Sequence, residues 1–309
     1  MFSFVRRRMY TSAIPLIIVL LGVFFLARLT GDPTNLYLPE SATQAQREAF
    51  AQQNGFDRPM IVQLFDYFKG VLHLDFGTSL RTGESASEMA LRAFPATLQL
   101  AFTTMILAVI GAVIIGCWAA YRPNSLADRF SSLLSMTAAS IPDFWFAITG
   151  VWLFAVLLGV LPTSGTDAGL LSWILPIATL MIRPLGVLTQ VVRGAMVSAL
   201  SAPYIRLARS KGASDFRVVS HHALRNAAAP ALTVAGDLAV GLINGAVVVE
   251  AIFGWPGIGK LMIDAILQRD FAVLQAAVLL TAVSIFLLNI FIDACYALLD
   301  ARVREPAKV

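Results

Sequence analysis

Four polar residues interrupt long apolar stretches of the chain and are the first candidates for chemistry. Asp143 and Arg183 each lie well inside such a stretch, and Asp237 and Asn244 are seven residues apart, on one face of a helix. A charge inside a bilayer is costly, so it usually pairs with another charge or lines a solute pathway. We therefore expect Asp143 and Arg183 to pair or to face a pathway that Asp237 and Asn244 also line. The alternative is that Asp143 only caps a helix broken at Pro142.

The sequence offers no arrangement of side chains that suits enzymatic catalysis. His73 is isolated, and the adjacent His221 and His222 would point about 100° apart on a helix, so they cannot share a metal as an i,i+4 pair would. The stretch 254–260, GWPGIGK, fits the start of a phosphate-binding loop, but Leu261 stands where Ser or Thr is required. We expect no catalytic residue, no metal and no cofactor in this chain, and we interpret 254–260 as a tight turn.

The composition indicates whether the folded chain is surrounded by water or by lipid. Hydrophobic residues make up 58% of the 309 residues, charged residues 14%, and the mean hydropathy is +0.75. A water-soluble domain of this size needs a largely polar surface, so most of this apolar surface must face lipid. The net charge of +4 then indicates basic cytoplasmic loops rather than nucleic-acid binding.

Six charge-poor stretches are long enough to cross the bilayer as helices, which takes about 20 residues. The third contains Ile141-Pro142-Asp143 and is too long for one straight span, so we expect it to be kinked or broken there. The fold class predicted is an all-α, polytopic membrane protein with six transmembrane helices. The six stretches are 9–29, 96–121, 131–161, 171–193, 227–250 and 273–299.

The distribution of basic residues predicts the orientation of these spans. Basic residues precede the first span and follow the second, fourth and sixth, which all lie on one side of a six-span chain, so both termini are predicted to be cytoplasmic. The segment 30–95, with eight acids and five bases, then lies outside. Glu250 lies near the outer end of the fifth span, where we expect its carboxylate to reach the interface. The predicted regions are a tail and first helix (1–29), an extracytoplasmic insert (30–95), a five-helix core (96–299) and a cytoplasmic tail (300–309).

The most polar internal segment, 201–226, lies on the cytoplasmic side between the fourth and fifth spans and is much longer than a simple turn. Pro203 can begin a short helix, Gly212 can supply a left-handed turn, and Ser214 can cap a second helix. The second helix would carry Phe216, Val219 and Ala223 on one face. Such a segment suits docking to a partner, although a basic interfacial loop that binds anionic lipid is an equal alternative.

The segment 204–230, YIRLARSKGASDFRVVSHHALRNAAAP, resembles the EAA loop of the permease subunits of ABC importers for dipeptides, oligopeptides and nickel. The resemblance covers nearly the whole chain. It continues through RRRMYTSAIPLIIVLLGVFFLARLTGDP, GFDRPMIVQLFDYFKGVLHLDFGTSL, FPATLQLA, SIPDFWFAITGVWLFAVLLGVLPTSG, VVVEAIFGWPGIGKLMIDAILQRD and YALLDARVR, in the family's order. The general motif begins with glutamate, whereas this chain has Arg206 at that position. Arginine at this position resembles the peptide branch of the family, and the chain is similar to its dipeptide permease B-type subunit.

The resemblance implies a type I ABC importer transmembrane domain and its partners. These are a second, homologous permease in a heterodimer, two ATPase subunits that bind ATP and magnesium, and an extracytoplasmic binding protein. The loop 201–226 would dock on an ATPase and act as a coupling helix in the bacterial inner membrane. The docking residues implied are Tyr204, Arg206, Ala208, Arg209, Lys211, Gly212, Ser214, Phe216, Arg217 and His221.

The substrate stays open at this point. Short peptides are the cargo that the resemblance favours, but permeases this similar also carry nickel-chelate or glutathione. An ATP-independent channel and a membrane scaffold are the remaining alternatives, and the docking segment 201–226 argues against both.

Overall fold

A computed structural model describes residues 14–15, 17–25, 38, 41–79 and 81–299 of the chain. Within these residues the regular structure is helical, apart from one isolated bridge between Thr78 and Ser85. The predicted all-α class is therefore confirmed. The helices labelled here are α1 (Gln44–Asn54), α2 (Met60–Leu72), α3 (Ala86–Tyr121), α4 (Leu126–Ser140), α5 (Asp143–Gly150), α6 (Leu171–Ser201), α7 (Pro203–Ser210), α8 (Leu224–Phe253), α9 (Ile258–Gln268) and α10 (Phe271–Leu299).

Four of the described helices are long and apolar enough to cross a membrane: α3, α6, α10, and the continuous helix 215–253 that contains α8. The pair α4 and α5 forms a fifth candidate span, bent by more than 40° at its break. The first predicted span is described only at 14–15 and 17–25, which are helical. Its remaining residues and both tails lie outside the described part of the chain.

The predicted break in the third span is present. α4 ends at Ser140, Ile141 and Pro142 are extended, and α5 begins at Asp143. Proline restricts the residue before it to extended backbone, which is why the helix stops at this point. α5 then continues as a π-helix over Val151–Leu157.

Two helices extend beyond the apolar stretches that predicted them. α3 begins at Ala86 rather than at 96, and α6 ends at Ser201 rather than at 193. Hydropathy marks only the part of a helix that lies in lipid, whereas the backbone hydrogen bonds continue into the polar flanks. The last ten residues of the predicted insert are therefore the first turns of α3.

The chain divides into two compact units, of which the second comprises 96–255 with the described part of 291–309. In that unit α6 packs against α8, α4 and α5. One apolar cluster includes Leu100, Leu175 and Phe253, and another includes Val192, Met196 and Ile205. Glycine allows close helix packing: a Cβ on Gly116 of α3 would lie 2.9 Å from the Cβ of Val192.

The other unit comprises the described parts of 1–95 together with 256–290. Its apolar cluster joins the start of α3, at Ala86 and Ala90, to Ala265 and Val273. Buried Ser79 donates a hydrogen bond to buried Asp270, and Arg81 donates one to the carbonyl of Gln268 at 2.9 Å. Ser79 and Arg81 are thus fixed to the link between α9 and α10.

Candidate docking and translocation sites

Helix α7 forms the first half of the predicted docking segment. Ala202 is extended and Pro203 occupies the first turn, where its missing N–H costs no hydrogen bond. Ile205 faces inward and is 1% exposed, whereas Arg206 and Arg209 lie on the exposed side. The buried isoleucine fixes which face of α7 is presented outward.

Gly212 makes the turn that follows α7. Its φ is +81°, a left-handed conformation that L side chains rarely adopt, as the sequence predicted. The Gly212 N–H donates to the Arg209 carbonyl at 2.9 Å, and the Ala213 N–H donates to the Ala208 carbonyl at 3.1 Å. Ser214 stands at the N-cap position of the next helical turn, but its side chain makes no capping hydrogen bond, so the predicted capping role is wrong.

The predicted apolar face of the second docking helix is also wrong. Phe216 is 82% exposed, whereas Val218 and Ala223 are fully buried and Val219 is half-buried. The reason is that residues 218–223 form a π-helix, whose i→i+5 hydrogen bonds rotate the later side chains relative to an α-helical wheel. Phe216 is therefore presented outward without Ala223 beside it.

Polar contacts tie the docking segment to the ends of the long helices. The Asn226 amide donates to the Tyr204 hydroxyl at 3.1 Å. Asp215 lies 3.8 Å from the guanidinium of Arg209 and acts electrostatically on the Tyr121 hydroxyl at the end of α3. The segment is thus an ordered element of this unit rather than an unattached loop.

The ten predicted docking residues are almost all exposed. All are exposed except Ala208, which is half-buried, so this chain leaves them available to a partner. Leu207, which was not among them, is 57% exposed and adds an apolar side chain to the same helix. The surface therefore combines basic groups with the exposed apolar side chains of Leu207 and Phe216.

An ion pair that the sequence analysis missed joins α4 to α6. The guanidinium of Arg193 contacts the carboxylate of Asp128, which is 7% exposed and also accepts the Asn124 backbone N–H at 2.8 Å. Two turns further along α4, the Ser135 hydroxyl donates to the Gly186 carbonyl at 2.7 Å. The available signal was a pair of opposite charges at the same predicted membrane side of two neighbouring spans.

Asp143 lies in the first turn of α5, directly after the extended residue Pro142, and is not itself the N-cap. A Cβ on Gly245 would lie 3.7 Å from Asp143 Oδ2, so the carboxylate faces α8 at Gly245. Arg183 acts electrostatically on Asp143, but no contact within 4.0 Å joins their charged groups among the ion pairs of the described residues. The two charges are near each other without forming the direct pair that we considered.

The other predicted pathway residues lie on uncovered helix faces. Arg183 on α6 and Asp237 and Asn244 on α8 are all exposed in this chain. Asp237 and Asn244 share a face as predicted, about 10 Å apart along the axis at 1.5 Å per residue. Their exposure leaves room for a solute or for a second subunit.

The prediction for Glu250 is wrong, whereas the turn predicted in the 254–260 stretch is present. Glu250 is fully buried, so its predicted position at the interface is wrong. Gly254 ends α8 with φ +62° and Gly257 precedes α9, which confirms the predicted turn at 254–257, and α9 begins at Ile258. In the part of the chain that the structure describes, no three His, Cys, Asp or Glu side chains form a group that could hold a metal ion.

Comparison with known protein families identifies the family of this chain. Residues 112–305, which include the docking segment and all four pathway residues, match the family described as "Binding-protein-dependent transport system inner membrane component". The chain belongs to this family. It is a multi-pass permease of the inner membrane, and membership implies a binding protein and ATPase subunits as partners.

Relatives cover almost the entire permease. It is 38% identical over 308 residues to the glutathione transport system permease protein GsiC of Salmonella typhimurium strain LT2, covering 98% of this chain and 99% of the relative. It is 35% identical over 309 residues to the oligopeptide transport system permease protein AppB of Bacillus subtilis strain 168, covering 97% and 98%. The resemblance to peptide-type permeases is therefore confirmed.

Solved structures support the fold. The methionine ABC transporter MetNI in an inward-facing conformation matches with a TM-score of 0.55 at 17% identity, over 69% of the permease and 96% of that chain. An amino acid ABC transporter crystallised with histidines matches with a TM-score of 0.52 at 14% identity, over 70% and 94%. The permease thus has the fold of an ABC importer transmembrane subunit.

Proposed function

We propose that the permease forms one half of a translocation pathway for short peptides and couples it to ATP hydrolysis through residues 201–226. A second, homologous permease supplies the other half, two ATPase subunits dock on the cytoplasmic side, and an external binding protein delivers the substrate. Both termini are cytoplasmic in this proposal. The permease itself contributes no catalytic residue, and ATP and magnesium bind in the ATPase subunits.

The observation that carries the proposal is the structure of the docking segment. Its basic and apolar side chains are exposed, while Ile205, Val218 and Ala223 are buried against the ends of the long helices. α7 follows α6 after a single residue, and residues 215–223 run without a break into α8. A force on the exposed face therefore acts directly on two helices that carry the pathway residues.

The same helices connect the docking segment to the proposed pathway. Arg183 lies on α6, Asp237 and Asn244 lie on α8, and Asp143 packs against α8 at Gly245. A rotation of α6 and α8 at their cytoplasmic ends would change the exposure of all four polar groups. ATPase closure can therefore bias a two-state pathway without the permease hydrolysing anything.

The proposed substrate class follows from the relatives. One relative is named for glutathione, itself a tripeptide, and the other for oligopeptides. Small peptides, including glutathione, are therefore the class that we favour over nickel-chelate. Uptake of labelled dipeptide, glutathione and nickel-chelate by proteoliposomes with the cognate binding protein tests this order, and exclusive uptake of nickel-chelate would contradict it.

Co-purification tests the assembly. The tagged permease is extracted gently from its native membrane, and the proteins recovered with it are identified by mass spectrometry and assayed for ATPase activity. We expect a second permease and ATP-hydrolysing subunits. Recovery of the permease alone or as a homo-oligomer, without ATPase activity, would favour a channel or a membrane scaffold.

The glycine turn tests the coupling role. Gly212→Asp and Gly212→Val force a side chain into a left-handed turn, which tilts α7 relative to residues 215–223. We expect both variants to reach the membrane and to lose the link between ATPase stimulation and uptake. Ser210→Asp is the matched control, because it adds the same charge at an exposed position of α7.

Three outcomes of this series are distinct. Normal uptake with normally stimulated ATPase in both Gly212 variants would refute the coupling role. Loss of function in Gly212→Asp and Ser210→Asp, but not in Gly212→Val, would point to charge rather than geometry. Loss of binding to anionic vesicles without loss of ATPase binding would favour the alternative of a lipid-binding loop.

The pathway residues are tested by Asp143→Asn, Arg183→Gln and the double variant. If the two charges act on each other, the double variant loses less uptake than the sum of the single losses. The thermal stability of the assembled complex is measured in parallel, to separate pathway effects from unfolding. Additive losses would assign the two residues independent roles.

A further inference from the structure

Helix α2, in the insert, exposes a ridge of large apolar side chains. Ile61, Phe65 and Leu72 are 81%, 73% and 83% exposed. At 100° per residue their directions fall within about 40° of each other around the helix axis. They form one continuous stripe, which a helix in water would normally turn toward a core.

The opposite side of α2 is already occupied. Tyr67, two residues after Phe65, points about 200° away from it and packs on Phe24, with ring centroids 5.4 Å apart. The chain also folds back over this side, where the Asp75 N–H donates to the Gly70 carbonyl at 2.9 Å. The apolar ridge is therefore not the face with which α2 joins its own unit.

Two contacts give the depth of α2 relative to the bilayer. Phe24 lies in the first predicted span, five residues before its predicted end, about 7 Å along a helix. Gln275, which lines the same polar cavity of about 450 Å³ as Tyr67, lies four residues into the membrane-spanning helix α10, about 6 Å from its start. α2 thus lies level with the end of the first predicted span and the start of α10, on the side of the membrane that carries the insert.

We propose that α2 lies in the plane of the membrane with the Ile61, Phe65 and Leu72 ridge inserted among the lipids of the leaflet on the insert's side. The proposed orientation of the chain makes this the outer leaflet. Exposed Lys69 lies about 60° around the helix from the ridge, where its ammonium group can reach lipid phosphates. Lipid covers the ridge at all times, whereas a binding protein that docks and leaves would expose it to water in each cycle.

Site-directed spin labelling of the complete importer in lipid nanodiscs tests the proposal. Cys117 and Cys295 are first replaced by serine, and a nitroxide is then attached in turn to Ile61→Cys, Phe65→Cys and Leu72→Cys. Asp66→Cys and Met60→Cys are matched controls, because these residues are exposed about 120° to either side of the ridge on the same helix. Power saturation compares oxygen, which concentrates in lipid, with a water-soluble nickel chelate.

We expect the ratio of oxygen to nickel accessibility to be several-fold higher at the three ridge positions than at the two controls. Equal ratios at all five positions would overturn the proposal. Low accessibility to both reagents would place the ridge against the second permease. Protection that occurs only after the binding protein is added would make the ridge part of that interface.

A conservative variant keeps the test valid if the cysteine variants do not assemble. Phe65→Trp preserves an aromatic side chain, and Asp66→Trp is its control on the polar face. In nanodiscs containing brominated lipid, we expect the added fluorescence of Phe65→Trp to be quenched several-fold more than that of Asp66→Trp. Equal quenching would contradict the insertion of the ridge.

Discussion

Helix α6 contacts α4 on one side and α8 and α3 on the other, and the two kinds of contact differ. Against α4, the Asp128–Arg193 ion pair and the Ser135–Gly186 hydrogen bond fix the register, and a Cβ on Gly186 would lie only 2.5 Å from the Cβ of Ala138. Against α8 and α3, Leu188 and Val192 of α6 border an apolar groove of about 200 Å³.

The difference has a mechanical consequence. Ion pairs and hydrogen bonds depend on direction and distance, so α4 and α6 should move together. Packed apolar helix surfaces can slide past one another by small amounts, since no directional bond is broken there. We infer that α8 shifts against the α4–α6 pair when the ATPases close.

The largest effect is expected from Gly186→Leu. A side chain here collides with Ala138 and separates α4 from α6, at a cost of about 3 kcal/mol or more in the free energy of unfolding. Thermal unfolding of the purified complex and ATP-driven uptake should both fall sharply. Gly194→Leu is the control, because no atom lies within 4 Å of a Cβ placed there. Equal losses in both variants would mean that the tight contact is unimportant.

The next effect is expected from Arg193→Gln, which leaves the Asp128 carboxylate buried without its charged partner. Because the arginine side chain is 29% exposed, we expect a loss of roughly 2 kcal/mol rather than the full cost of a broken buried pair. Adding Asp128→Asn should restore part of the melting temperature, and exposed Arg129→Gln should change little. A double variant with fully additive losses would exclude coupling between these two residues.

A smaller effect, on the other side of α6, is expected from Ala231→Leu, which extends into the apolar groove. Filling it should favour the present arrangement of α8 by about 1 kcal/mol, a factor of about five in a two-state equilibrium. We expect slower uptake at undiminished thermal stability. Exposed Ala229→Leu does not line the groove and serves as control. Unchanged uptake in Ala231→Leu would argue that α8 does not move there.

The smallest effect is expected from Ser135→Ala. It removes one hydrogen bond to the Gly186 carbonyl and should cost about 1 kcal/mol or less. Ser132→Ala is matched to it, because the Ser132 hydroxyl donates to the Asp128 carbonyl of its own helix. A lower melting temperature for Ser135→Ala than for Ser132→Ala would support the pairing of α4 with α6, and the reverse order would contradict it.

The sequence predicted those features whose causes are local. A span must satisfy its backbone hydrogen bonds within its own helix, so apolar length alone located α3, α6, α8 and α10. Pro142 restricts its neighbour directly, and Gly212 relieves a steric restriction of its own backbone. The family resemblance was equally accessible, because it depends on motifs in order along the chain.

The errors concern the direction in which side chains point. Ala223 was placed beside Phe216 on an α-helical wheel, but the π-helix at 218–223 changed the angle between them. Glu250 was placed at the interface from its position near a span end, yet the helices around it bury it completely. The first error arose from backbone hydrogen bonding within the segment, and the second from the packing of other segments.

The sequence by itself therefore determined that the fold is surrounded by lipid, which segments span the membrane, where the third helix breaks and that Gly212 makes a left-handed turn. Each of these features follows from a residue and its near neighbours. Only the tertiary structure brought Asp128 to Arg193, 65 residues apart in the chain, and left the groove beside Val192 unfilled. Contacts between helices depend on their rotation about their own axes and on their depth in the bilayer. Apolar length specifies neither, since lipid accepts any apolar face of a helix.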